Sequence, residues 1–152
     1  MPGVRTTGAF GTSSTRTSVR ARRSTSGRTA RTQMNPQKGD MMNESAMMTA
    51  ESLDRAAEKL KSGWCKHTQG KTSDGMGVTG DHPDAVRWCA IGAVSRPGHP
   101  GTWDCPEIRA LARYLGIEAY LVASWNNNGT QAEVVEAFHG AAKAIREGRL
   151  PV

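Results

Sequence analysis

Large apolar side chains are scarce in this chain. Its 152 residues include two Phe and two Tyr, and aromatic residues make up 5% of the whole. Any core must therefore lean on Ala, Met and the four tryptophans, which predicts a small, helix-rich body of marginal stability. No stretch approaches the roughly 18 consecutive apolar residues of a membrane span, so no membrane partner is expected. Cysteine is also sparse. Cys65, Cys89 and Cys105 cannot all pair within one chain, and none lies in a CxxC, which excludes a dense disulfide framework and points to a reducing cytoplasm. The N-terminus lacks the continuous apolar run of a secretory signal. The glycines of "SDGMGVTGD" are spaced for a turn and not for a phosphate loop or dinucleotide fingerprint, so no cofactor is expected. Cys65-x-His67 is too tight for a zinc knuckle and no second pair has ligand spacing, so no metal is expected either. There is no internal repeat.

Charge is present, but it is unevenly placed. Residues 1–40 hold seven arginines and one lysine against Asp40, a net of +7, whereas residues 41–152 hold 12 basic and 13 acidic groups, a net of −1. Residues 1–48 thus read as an Arg/Ser/Thr-rich tail that cannot offset its own ordering entropy and is expected to be disordered. Three readings of it stay open. It is a nucleic-acid-binding arm in which Arg20, Arg22, Arg23, Arg28 and Arg31 contact phosphate weakly and without sequence preference, or a targeting peptide of similar composition. The third is a mis-assigned start, with Met34, Met41, Met42, Met47 or Met48 as the true one.

Residues 49–148 read as a single helical domain. Thr49 is the expected cap of a first helix whose apolar stripe is Leu53, Ala56, Ala57 and Leu60. A β-hairpin is expected about Asp74-Gly75. "DHPDAVRWCAIGAV" predicts a second helix capped by Asp81 or His82, with Pro83 in its first turn and Asp84 near its positive end. "TQAEVVEAFHGAAKAIREG" carries a Thr130/Glu133 capping box, an apolar repeat at Val134, Phe138, Ala141 and Ile145, and a stop at Gly148. The fold class is mainly α: about five short helices with one small hairpin, behind a disordered tail.

Between these lies "ALARYLGIEAYLVASWNN", residues 110–127, with the spacing of a DNA-reading helix-turn-helix. Ala112, Gly116, Val122 and Trp125 take the motif's buried and turn positions. Its reading face would show Glu118, Ala119, Tyr120, Ala123, Ser124 and Asn127, one acid and no base, which is poor chemistry for DNA. Arg109 and Arg113 on the first helix could touch backbone phosphate. A DNA-binding regulator using residues 110–127 plus the tail therefore stands as an alternative. A second alternative is a Cys/His hydrolase, with Cys89 or Cys65 as nucleophile and His139 or His82 as base, although a cysteine on an apolar face is usually a small core residue. The tryptophans Trp64, Trp88, Trp103 and Trp125 either form a ligand-stacking surface or fill the core, and the scarcity of Phe and Leu favours the core.

"GWCKHTQG", "DAVRWCAIGAV", "WNN" and "TQAEVVEAF", in that order over residues 50–146, resemble a small bacterial and phage domain family of unknown function. The family pattern is GW, WCAxGA, WND and TxxEV; here the third motif is Trp125-Asn126-Asn127. The resemblance implies a compact accessory domain in the cytoplasm of a bacterial or phage-infected host cell. It marks Trp64, Asp84, Trp88, Cys89, Gly92, Trp125 and Asn126 as positions to watch, with Trp125 buried and Asn126 at the turn into Thr130. It assigns no activity, so the main expectation is a non-catalytic module that binds an unknown protein partner.

Overall fold

Two helices that cross the whole domain, α1 (Pro36–Ser62) and α5 (Gln131–Arg146), form its largest contact. The computed structural model describes the backbone of residues 36–152 and the side chains of residues 43–152. The tail arginines Arg20, Arg22, Arg23, Arg28 and Arg31 lie outside the described residues.

Helix α1 starts at Pro36, well before the expected cap. Proline suits a first helical position because its missing N–H would have no partner there. Thr49 is an interior residue of this helix and not its cap: its hydroxyl donates to the Ser45 carbonyl one turn back, at 3.0 Å. Downstream the expected stripe holds, with Leu53, Ala56, Ala57 and Leu60 all buried. They pack against Val134, Phe138, Ala141 and Ile145 of α5 in one apolar cluster. The alanines let the two helices approach closely, and Phe138 supplies the bulk. The capping box of α5 forms as expected, with the Glu133 N–H donating to Thr130 Oγ1 and the Thr130 N–H to Glu133 Oε2.

A small sheet fills the space between α1 and the later helices. Strands β1 (Gly70–Lys71) and β2 (Gly77–Val78) make the hairpin around Asp74-Gly75, and β3 (Arg87–Trp88) adds to the other side of β1, giving the order β2-β1-β3, all antiparallel. The third strand corrects the sequence reading, which placed a helix over this stretch. Asp81, His82 and Pro83 sit in turns, and only α2 (Ala90–Ala93) is helical, capped by Cys89. A short apolar run fits either period, and here the ladder decides: Trp88 N–H donates to Gly63 O and Cys89 N–H to Gln69 O, each at 3.0 Å.

Helix α3 (Pro106–Leu115) stops at Gly116, whose φ of 68° is left-handed backbone that a β-carbon would strain. A 3₁₀ turn at Ala119–Leu121 leads into α4 (Val122–Asn128). The described part is thus mainly α, five helices around a three-stranded sheet. Among the described residues no helix is long and apolar enough to cross a membrane.

Candidate functional site

Three segments of the chain meet at one buried amide. Helix α4 is only seven residues long, but Val122 and Asn126, one turn apart, both point inward and are 0% exposed. The Asn126 Oδ1 accepts from the Trp64 indole Nε1 at 2.9 Å and from the Ala90 backbone N–H at 3.0 Å. Its Nδ2 donates to the Cys65 carbonyl at 3.2 Å and to Asn127 Oδ1 at 3.4 Å. Two acceptor sites and two donor hydrogens are all an amide has, so its capacity is filled.

A second layer surrounds this hub. The Trp88 indole donates to Gly80 O at 3.1 Å, while Gln69 spans from Gly80 N–H to Gly101 O through its own amide. Gly92 is required by close approach: a β-carbon there would lie 1.9 Å from the Gln69 carbonyl oxygen. Two lysines cover the indoles from outside, Lys59 over Trp88 and Lys66 over Trp64, each 4.9 Å from the ring centre. Lys59 also donates to Ser95 O, and its burial lowers its pKa.

Beside the hub a cleft of about 190 Å³ is lined by His67, Gln69, Cys89, Ile91, Ala123 and Asn127. His67 has a φ of 66°, uncommon for a residue with a side chain, and its N–H is held by Asn127 Oδ1 at 2.9 Å. Burial pushes the Cys65 thiol up to about 11 and also raises Cys89 and Cys105. The histidines expected as bases for these thiols have other neighbours. His139 Nδ1 lies 2.9 Å from Asp54 Oδ1 on the α1–α5 seam, and His82 accepts from the Asp84 N–H in an exposed turn. Neither lines the cleft; the histidine that does is His67. A larger cavity of about 370 Å³ lies between α1 and the start of α3, beside the Arg96–Glu107 ion pair at 2.6 Å. Among the described residues no three His, Cys, Asp or Glu side chains are grouped to hold a metal ion.

The sequence profile of a family of unknown function (DUF6197) matches residues 45–144. The chain belongs to that family. No curated protein and no solved structure matches it. Within this DUF6197 domain the structure brings Trp64, Trp88, Cys89, Gly92 and Asn126 together, whereas Asp84 stands apart on an exposed turn. Trp125 is half-buried and not fully buried as expected, and Trp103 is 57% exposed, so it supplies no core. Asn126 is the hub itself and not part of a cap. Sequence reasoning missed Gln69, Gly80 and Lys59: a single Gln among turn residues has no periodicity to reveal it.

The helix-turn-helix stretch folds as two helices with the turn at Gly116, but Glu118, Ala119 and Tyr120, expected on the second helix, lie in the connection and 3₁₀ turn before α4. Leu111 and Val122 are fully buried, and Glu118, Tyr120 and Ser124 are exposed, while Asn127 is tied to His67. Of the two arginines on α3, Arg109 pairs with Asp104 and Arg113 donates to the Pro151 carbonyl at 2.8 Å.

Proposed function

We propose that this domain is a non-catalytic interaction module of a phage- or prophage-type accessory protein, acting on a protein partner in the bacterial cytoplasm. One observation carries the reading: the polar groups of Trp64, Trp88 and Asn126, the positions that the motif resemblance singles out, are spent on internal hydrogen bonds. Residues used this way hold a shape and are not free to do chemistry. What the shape offers to solvent includes large apolar groups near the α3–α4 connection, namely Tyr114, Tyr120 and Leu121, with Tyr120 66% exposed. Aromatic side chains of this kind are the usual anchors of protein interfaces.

Affinity capture from a bacterial lysate, with and without nuclease treatment, tests this, comparing the wild-type full chain with Tyr120→Ala. The expected result is one protein enriched by the wild type and at least about tenfold less by the variant, as for loss of an interface anchor. Enrichment that disappears with nuclease treatment would instead make nucleic acid the target. The helix–Gly116–helix path favours that second reading, a DNA-binding regulator. The absence of Lys and Arg from residues 118–128 weighs against it.

A further inference from the structure

Cys65 and Cys89 are neighbours in space, and nothing in the reading above uses their thiols. The bridge beside β3 sets the register. The Cys65 N–H donates to Trp88 O and the Trp88 N–H to Gly63 O, both at 3.0 Å, which pairs Trp64 with Trp88 in parallel. One step further along both segments stand Cys65 and Cys89. Paired strands run about 4.8 Å apart, inside the Cα window of about 4.4–6.8 Å that a disulfide accepts. Alternation places both thiols on the side away from the two indoles, and each residue is 6% exposed. Their present contacts are weak ones. Cys65 Sγ donates to Thr68 O at 3.5 Å, and Cys89 Sγ accepts from the Gly92 N–H at 3.4 Å. Cys89 lines the cleft, so a small oxidant has a way in; Cys105 lies elsewhere, against the larger cavity.

We propose that Cys89 and Cys65 are a peroxide-addressed thiol pair, in which Cys89 meets the oxidant and Cys65 resolves it. The Cys89 thiolate attacks one oxygen of a hydroperoxide, the O–O bond breaks, and water or an alcohol leaves, giving a sulfenic acid. Cys65 sulfur then attacks the Cys89 sulfur and expels that oxygen as a second water. Two thiols and one hydrogen peroxide become one disulfide and two waters. Raised thiol pKa values make the reaction slow at neutral pH, and its rate should climb about tenfold per pH unit while the thiol stays below its pKa. The new bond would close the loop that carries β1, β2 and β3. It would also tie together two of the segments that Asn126 bonds, because Cys65 O accepts from Asn126 and Ala90, next to Cys89, donates to it.

The test treats the folded full chain with hydrogen peroxide at mildly alkaline pH, then denatures it, counts thiols and maps peptides by mass spectrometry. Free thiols should fall from three to one, with the Cys65 and Cys89 peptides linked and Cys105 untouched. Cys105→Ser should lose both of its remaining thiols, and the oxidised wild type should unfold at higher denaturant. The proposal is overturned if Cys89 ends as a sulfinic acid beside a free Cys65, or if the bond forms to Cys105 or to another chain. It is equally overturned if all three thiols survive a treatment that oxidises the unfolded chain.

Discussion

Asn126 concentrates more consequence than any other side chain described here. Replacing it by Ala strands the Trp64 indole N–H, the Ala90 N–H and the Cys65 carbonyl in a site with 0% exposure at its centre. An unsatisfied buried group costs about 1–3 kcal/mol, and partial relaxation lets some regain partners, so Asn126→Ala should lose about 3–5 kcal/mol. Against a total of about 5–15 kcal/mol for a domain of ordinary stability, urea titration followed by circular dichroism should show a large drop in midpoint. His67 matters at the same scale for the opposite reason, since it holds a left-handed conformation that costs about 1–3 kcal/mol, secured by Asn127. The resemblance to a known motif pattern pointed to Asn126, Trp64 and Gly92 from the sequence. Their roles were not legible there: an Asn in a polar "WNN" reads as a surface cap until the fold shows which backbone groups converge on it.

Helices α1 and α5 were readable as elements because the apolar period of each is long, and the start of α5 is also marked by a capping box, whereas the start of α1 was misplaced at Thr49. Strand β3 and helix α2 were not, because two and four residues cannot display a period and their state is set by partners distant in sequence. Between α1 and α5 lies a polar seam that also escaped the sequence. Asp54 accepts from Arg146 at 2.5 Å and faces His139 Nδ1 at 2.9 Å. Burial alone would raise the Asp54 pKa, but the hydrogen bonds from His139 and Arg146 outweigh it and hold the carboxyl below its usual value. A carboxyl with a lowered folded pKa stabilises the fold above its unfolded pKa of about 3.9, and that contribution is lost as pH falls through the folded value. Asp54 keeps 32% of its side-chain surface, so the effect is modest. Asp54→Asn should cost about 1 kcal/mol near pH 7 and progressively less as acid takes the pH through the lowered folded value, below which both proteins carry a neutral side chain. Denaturant midpoints at neutral and acid pH check this.

For the whole molecule the division of charge decides what can be bound. With a net of +7 in residues 1–40 and −1 in residues 41–152, attraction to a polyanion should come from the tail and should be screened by salt. The full chain should therefore bind DNA of any sequence weakly, with affinity falling steeply from low to physiological salt. Replacing Tyr120, Ser124 and Asn127 together by Ala should leave both the affinity and its salt slope unchanged. Fluorescence anisotropy against random and genomic DNA reads both quantities. A sequence preference that the triple variant loses would make the helix pair a reader of base edges.

The position of the buried amide along the chain also bears on how the fold is reached. Asn126 bonds groups 62, 61 and 36 residues away, so its contacts exist only after long loops have closed, and the entropy of those closures falls before any reward arrives. The α1–α5 contact closes a longer loop still, 85 residues between Asp54 and His139, but its broad apolar stripe tolerates loose geometry and can form before the amide finds its partners. Asn126 should then belong to the late part of the route, on the native side of the barrier, with a φ-value near zero. In stopped-flow refolding, Asn126→Ala should leave the folding limb of the chevron almost where it was and steepen the loss on the other side, raising the unfolding rate by most of the measured destabilisation. The residue that locks the domain would then govern how long it stays folded and hardly affect how quickly it forms.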